Sequence, residues 1–303
     1  MAEIILEDES LRDGLQFEKV IIPIEEKLML FDLLRSAGVK RIQVGSLVNP
    51  KVVPQMADTD MLASRVIGAQ GTLATGLVLN AKGLERAVAS GLKHITLSAS
   101  VSDTHSMKNV GKSSQEAINS VFQLIREADK AGIDVRAGTQ CVFGCVYEGA
   151  VSEDKVVDTL CQMARAGAGE LNLADTTGMG NPVQVKRLVY KVMQALPNTE
   201  LSLHLHDTRG LGMANMIAGY EAGIRIFDTS AGGLGGCPFV RGAAGNVPTE
   251  DAVHLFESMG IATGINLSKL CEVVDKYELL LGRSLPGRMS RVLKAQSLGN
   301  AQR

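Results

Sequence analysis

The sequence predicts an α/β fold, a (β/α)8 TIM barrel with additional C-terminal helices, on three observations. A helix-like segment ending in a small residue and glycine, followed at once by a short apolar run, recurs five times: SAGVKRIQV (36 to 44), ASGLKHITL (89 to 97), KAGIDVRAG (130 to 138), RAGAGELNL (165 to 173) and EAGIRIFDT (221 to 229). EIILED (3 to 8), GTLATGLVL (71 to 79) and LSLHLHD (201 to 207) bring the strand-like runs to eight. Amphipathic helical stretches separate them, and alternation of this kind implies a parallel sheet that eight units close into a barrel.

Taken along the chain, EIILED is strand one, and the helix IEEKLMLFDLLRSAG leads into the first glycine phrase. In each phrase the glycine reads as a helix C-cap and the apolar run after it as a buried strand. SEDKVVDTLCQMARAG and NPVQVKRLVYKVMQALP open with Ser152 and Asn181 as N-caps. PTEDAVHLFESMG and the segment from Asn266 to Leu281 are further helices, packed on or beside the barrel. An open doubly wound sheet is the competing topology; it would want a glycine-rich phosphate loop after strand one, and LRDGLQ is not one. With no linker or low-complexity tract, residues 1–303 read as one domain, the barrel over about 1–260 and a helical extension over about 261–303.

Composition sets limits on function. The 31 basic and 33 acidic residues leave a net charge of −2, without the broad field that holds nucleic acid or an anionic membrane. The start MAEIILEDES resembles neither a signal nor a transit peptide, and no apolar run nears the roughly 20 residues of a membrane span, so the expected location is cytoplasmic. Five irregularly spaced cysteines (141, 145, 161, 237 and 271) read as reduced thiols.

Active sites of such barrels lie at the C-terminal strand ends, where this chain places Arg12-Asp13, Gln43, Asp175-Thr176, His204-Leu205-His206-Asp207 and Asp228. Residues two apart on a strand face the same way, so His204 and His206 both point to the barrel axis while Leu203 and Leu205 face the helices. One such histidine would read as a hydrogen-bonded core residue. Two, with a carboxylate available from strand one, read as a metal site. Imidazole with carboxylate and amide oxygens suits Mg²⁺ or Mn²⁺, and ligand type alone leaves Zn²⁺ or Co²⁺ open. GGLGGCPFVRGAAGN (232 to 246) has six glycines in fifteen residues and matches no nucleotide-binding pattern. It reads either as a lid delivering the Cys237 thiol or as close-packed turns with Cys237 buried.

These motifs resemble the DRE-TIM metallolyases and, among them, the 3-hydroxy-3-methylglutaryl-CoA lyase family. The resemblance spans nearly the whole chain and rests on RDGLQ (12 to 16), NPKVVPQMAD (49 to 58), SASVSDTHSMKN (98 to 109), VFGCVYEG (142 to 149), DTTGMGNP (175 to 182), HLHDTRG (204 to 210) and AGGLGGCPFVRGAAGN (231 to 246). It implies Asp13, His204, His206 and Asn246 as metal ligands, Arg12 facing the substrate carbonyl, Cys237 as mobile-loop thiol and Asp175 assisting proton transfer. Gln16 and Gln43 are expected to bind the substrate beside Arg12. Lys108 and Asn109, with His105, follow strand four and are expected to reach the phosphate or ribose of coenzyme A.

The implied activity is retro-Claisen cleavage of a 3-hydroxyacyl-CoA to an acyl-CoA and a keto acid, with His204 or Asp13 as base, by an enzyme expected to be a homodimer. The alternatives are a Claisen condensing enzyme of the citramalate or isopropylmalate synthase type and a catalytically silent metal-binding barrel. Two features depart from the family. Gln43 stands where the lyases usually carry a glutamate after strand two, and Asp8-Glu9-Ser10-Leu11 looks more like the condensing members. An amide carries no counter-charge, which predicts a freer Arg12 and a shifted specificity, unless water or another carboxylate such as Asp8 supplies the charge.

Overall fold

Eight parallel strands close into a ring in sequence order, β1 pairing with both β2 and β8, in a computed structural model that describes residues 4–236 and 245–300. The strands are β1 (Ile5–Asp8), β2 (Arg41–Ser46), β3 (Leu73–Val78), β4 (His94–Ser100), β5 (Asp134–Gln140), β6 (Glu170–Asp175), β7 (Glu200–Leu205) and β8 (Ile226–Thr229). Around them lie α1 (Ile24–Ser36), α2 (Thr59–Val66), α3 (Ala81–Ser90), α4 (Asp103–Val110), α5 (Ser114–Lys130), α6 (Glu153–Ala166), α7 (Pro182–Ala195) and α8 (Gly212–Glu221). The eight strands are the eight sequence runs. Gly38, Gly91, Gly132, Gly167 and Gly223 all have positive φ, as the repeated phrase requires of a residue that ends a helix and turns the chain into a strand. Ser152 and Asn181 cap their helices, accepting from the amides of Lys155 and Gln184.

Beyond the barrel come α9 (Thr249–Ser258), α10 (Leu267–Leu281) and α11 (Arg288–Asn300). α10 packs against α1 and the short turn Ala231–Gly233, and α11 against α9 and α10, so the extension lies on the barrel. Its link passes close under that turn: the Gly287 amide donates to the Gly232 carbonyl at 3.1 Å. A Cβ on Gly287 would collide with Glu250, which is why glycine stands there. Among the described residues no helix is long and apolar enough to cross a membrane.

Between strands and helices the core is aliphatic: Leu203 and Leu205 are fully buried, Leu203 against Gly219 of α8. Inside the ring the order is reversed. Glu7, Arg41, Gln43, Thr75, Thr96, Arg136, Glu170, Asn172, Ser202 and Asp228 are all buried there and joined by polar contacts. Arg136, fully buried, lies within 3.7 Å of carboxylate oxygens from Glu7, Glu9, Glu170 and Asp228. A barrel interior is more often filled by branched apolar side chains; here an ion-pair network fills it and supports the site above.

Candidate active site

β1 does not carry Arg12 and Asp13 itself. It ends at Asp8, and a wide π-type turn, Ser10–Gly14, closed by the Gly14 amide on the Glu9 carbonyl (3.1 Å), holds both over the barrel mouth. Such one-turn widenings recur at functional sites because they re-aim side chains that a regular helix would spread around its axis.

Strand alternation brings the two imidazoles of β7 together, with His204 Nε2 and His206 Nε2 2.9 Å apart. His206 also lies in a bridge with Asn246, which returns from beyond β8. Asn246 donates through Nδ2 to Asp13 Oδ2 (2.8 Å) and to the Leu234 carbonyl (2.9 Å), which leaves its Oδ1 buried without a partner. The ligand atoms of Asp13, His204 and His206 lie within 4.8 Å of one another. The sequence-derived candidate ligands are therefore brought together from the turn after β1, from β7 and the residue that follows it, and from the chain after β8.

These residues fit a divalent cation on three counts. Two imidazole nitrogens at right angles about an ion, each at about 2.1 Å, stand about 3 Å apart, close to the spacing seen. A buried amide oxygen with no donor is costly to leave unmatched, and a cation would match it. Finally, five carboxyl groups (Glu7, Glu9, Asp13, Glu170, Asp228) outnumber three guanidinium groups (Arg12, Arg41, Arg136) in and over the barrel, a setting that favours a further positive charge.

The imidazoles differ. His204 Nδ1 faces Asp228 Oδ2 at 3.3 Å and Glu9 Oε2 at 3.5 Å, the carboxylate support that fixes a ligating histidine with Nε2 toward the metal. Burial opposes its protonation, but Asp228 and Glu9 outweigh that and raise its pKa. His206 Nδ1 has no partner among the described residues, and burial with the neighbouring His204 lowers its pKa to about 3, so it is a neutral donor. Burial also works against the Asp13 carboxylate, but Arg12 and the two histidines hold it below the usual range.

Arg12 is not freed by Gln43. Its Nε donates to Gln43 Oε1, one Nη to Asp13 Oδ1 (2.6 Å) and the other to Glu9 Oε2. Gln43 passes its own amide to Thr96 Oγ1 at 3.2 Å. The counter-charge comes from Glu9 and Asp13. Asp8 points away, accepting from Ser10, the Ala231 amide and Thr249. Burial pushes the Glu9 carboxyl up to about 7 against the pull of Arg12.

Asp175, at the end of β6, accepts from the amides of Met179 (2.8 Å) and Gly180 (3.0 Å), and burial pushes its pKa up to about 6. Gln16 is half-buried just after the π-type turn. Lys108 and Asn109 are exposed on α4, with Lys108 Nζ 5.2 Å from the Tyr147 ring centroid. His105 is buried and so does not share their surface. Cys237 lies outside the described residues. Sequence reasoning left Glu9 and Asp228 without roles, although both face His204. Their signal was present: Asp228 is an inward residue near the end of β8, the strand beside the histidine strand, and Glu9 directly follows β1, the next strand across the ring closure.

A family model described as HMGL-like matches residues 3–276. The chain is 38% identical over 284 residues to the hydroxymethylglutaryl-CoA lyase YngG of Bacillus subtilis, covering 94% of this chain and 95% of that one. It is also 38% identical over 301 residues to an (R)-citramalyl-CoA lyase of Chloroflexus aurantiacus, covering 96% and 95%. Among solved structures, an HMG-CoA lyase from Acinetobacter baumannii in complex with coenzyme A and 3-methylmalate superposes with a TM-score of 0.91 at 36% identity, covering 95% of this chain and 94% of that one.

Proposed function

The chain belongs to the HMGL-like family and is a carbon–carbon lyase, and on that premise we propose that it cleaves a 3-hydroxyacyl-CoA with Mg²⁺ or Mn²⁺ held by Asp13, His204, His206 and Asn246. The observation that supports this most is the convergence of the two Nε2 atoms on Asp13 beside the unmatched Asn246 oxygen. A divalent ion bound there supplies Lewis acidity to the substrate's hydroxyl and carboxylate oxygens.

The chain's own residues do the rest. A guanidinium has five N–H donors, and the contacts to Gln43, Asp13 and Glu9 use three. The remaining two are available to the thioester oxygen, whose negative charge grows as the carbon–carbon bond breaks. Asp228 holds His204 Nδ1 and the ion would occupy Nε2, so of the two candidate bases the Asp13 carboxylate, with its second oxygen, is the one that can receive the proton of the substrate hydroxyl. Asp175, raised toward neutrality by burial, is suited to hold a proton for transfer. Cys237 is proposed as the loop thiol that serves protonation of the enolate.

The relatives' names point to two acyl groups, hydroxymethylglutaryl and citramalyl. Purified protein supplied with Mn²⁺ and a panel of 3-hydroxyacyl-CoAs is expected to release acetyl-CoA from at least one of them, with acetoacetate from the first or pyruvate from the second. No acyl-CoA from any member would remove the proposal. Lys108 and Asn109 are proposed to meet the coenzyme A phosphates, supported by their exposure beside the mouth. Lys108→Ala should then raise KM severalfold at low salt, where a phosphate contact is least screened, and an unchanged KM would count against it. A homodimer in the cytoplasm completes the reading, and sedimentation velocity tests the assembly.

A further inference from the structure

We propose that Glu9 is a positioning residue of this site, the acidic partner that sets both Arg12 and His204, an assignment that rests on the lyase reading above. Gln43 accepts a hydrogen bond from Arg12 but brings no charge, so it orients the guanidinium without balancing it. Asp13 could balance it, but every share of Asp13 drawn toward Arg12 is lost to the metal position. Glu9 resolves the competition. One oxygen, Oε2, receives the Arg12 Nη hydrogen and lies 3.5 Å from His204 Nδ1, while Oε1 lies 3.3 Å from Arg136.

The carboxylate is almost fully buried and is fixed from three sides, so its geometry is set before substrate arrives. Glu9 then shares the Arg12 charge with Asp13, which meets the guanidinium through Oδ1 at 2.6 Å and keeps Oδ2 for the side that faces the histidines. Removing the charge without changing the shape should therefore weaken two things at once: cation binding, through Asp13 and His204, and the transition state, through Arg12. Because Gln43 reaches the same guanidinium from β2, a carboxylate placed at position 43 should substitute for the one lost at position 9.

The test compares wild type, Glu9→Gln, Gln43→Glu and the double variant. Mn²⁺ affinity is read by titration of the free-ion paramagnetic resonance signal, and kcat and KM on whichever thioester is cleaved. Glu9→Gln should bind Mn²⁺ about tenfold more weakly, the usual scale for a residue supporting metal ligands. Its kcat should fall about tenfold or more with KM nearly constant, as when a contact made in the transition state is lost. The double variant should recover most of both, which a merely structural role would not produce. Wild-type values in Glu9→Gln, or a double variant no better than Glu9→Gln, would overturn the assignment. Should Glu9→Gln fail to fold, the double variant decides alone: near wild-type Mn²⁺ affinity supports the assignment and a tenfold loss overturns it. A wild type that cleaves no thioester but shows this Mn²⁺ pattern would sink the lyase reading and leave the role of Glu9 standing.

Discussion

Replacing His204 and His206 together by alanine should leave purified protein without a stoichiometric divalent ion and lower turnover by about 10³ or more. The two Nε2 atoms stand 2.9 Å apart beside Asp13, which accepts from Asn246 at 2.8 Å, and these are the four proposed ligands. Two oxygen donors without the imidazoles bind a transition ion weakly at neutral pH. The loss in rate is on the scale of removing a main electrostatic contact to the transition state. Elemental analysis after dialysis is the direct measurement, and metal content equal to that of wild type would show that the ion sits elsewhere. The isolated rate loss would not distinguish the readings, since the histidines could serve as bases without a metal.

Arg136→Met should have the largest effect on stability, about 3–5 kcal/mol, the range for breaking a buried ion pair from one side. The guanidinium is fully buried, and its Nη1 lies 2.6 Å from Asp228 and 3.1 Å from Glu7, with Glu9 and Glu170 also within 3.7 Å. Deleting it leaves those carboxylates facing one another where water cannot reach. Burial disfavours the Asp228 carboxylate, and Arg136 together with His204 holds it ionised well below the usual range. Urea denaturation reads the effect. A loss below about 1 kcal/mol, the median worth of an exposed pair, would mean that water enters the barrel and that the network is not dry.

The fold was legible because its signals are local. A glycine with positive φ after each helix and an apolar run after each glycine are sequence facts, and all five phrases lead into strands of the ring. The convergence of the candidate metal ligands was legible for a related reason. His204 and His206 need only strand periodicity to be brought together, whereas Asp13 and Asn246 entered through motif resemblance.

What stayed hidden depends on pairing between strands. Nothing near Arg136 in the chain says that Glu7, Glu170 and Asp228 will surround it, 92 residues away in the case of Asp228. A trace was nevertheless present in β5, where Arg136 alternates with Val135 and Ala137. Polar residues at one parity of nearly every strand mark a hydrophilic interior. Gln43 does not release Arg12, because another carboxylate supplies the charge, as the alternative reading allowed, but it is Glu9 together with Asp13 and not Asp8, which is engaged by Ala231 and Thr249.

The ring has a seam, where the first strand meets the last. β1 and β8 are each four residues long, and their ladder joins parts of the chain more than 220 positions apart. The site straddles that seam, taking Glu9 and Asp13 from one bank, and Asp228 and Asn246 from the other, with His204 beside it. A protein with its seven other ladders formed but the seam open would keep its helices and nearly all of its sheet, yet possess no site. Contacts so distant in sequence are the slowest to form, because the loop they close carries the largest entropic cost. Activity in this architecture is therefore a report on whether the ends of the chain have met, and a sensitive one, since the bulk of the fold can be present without it.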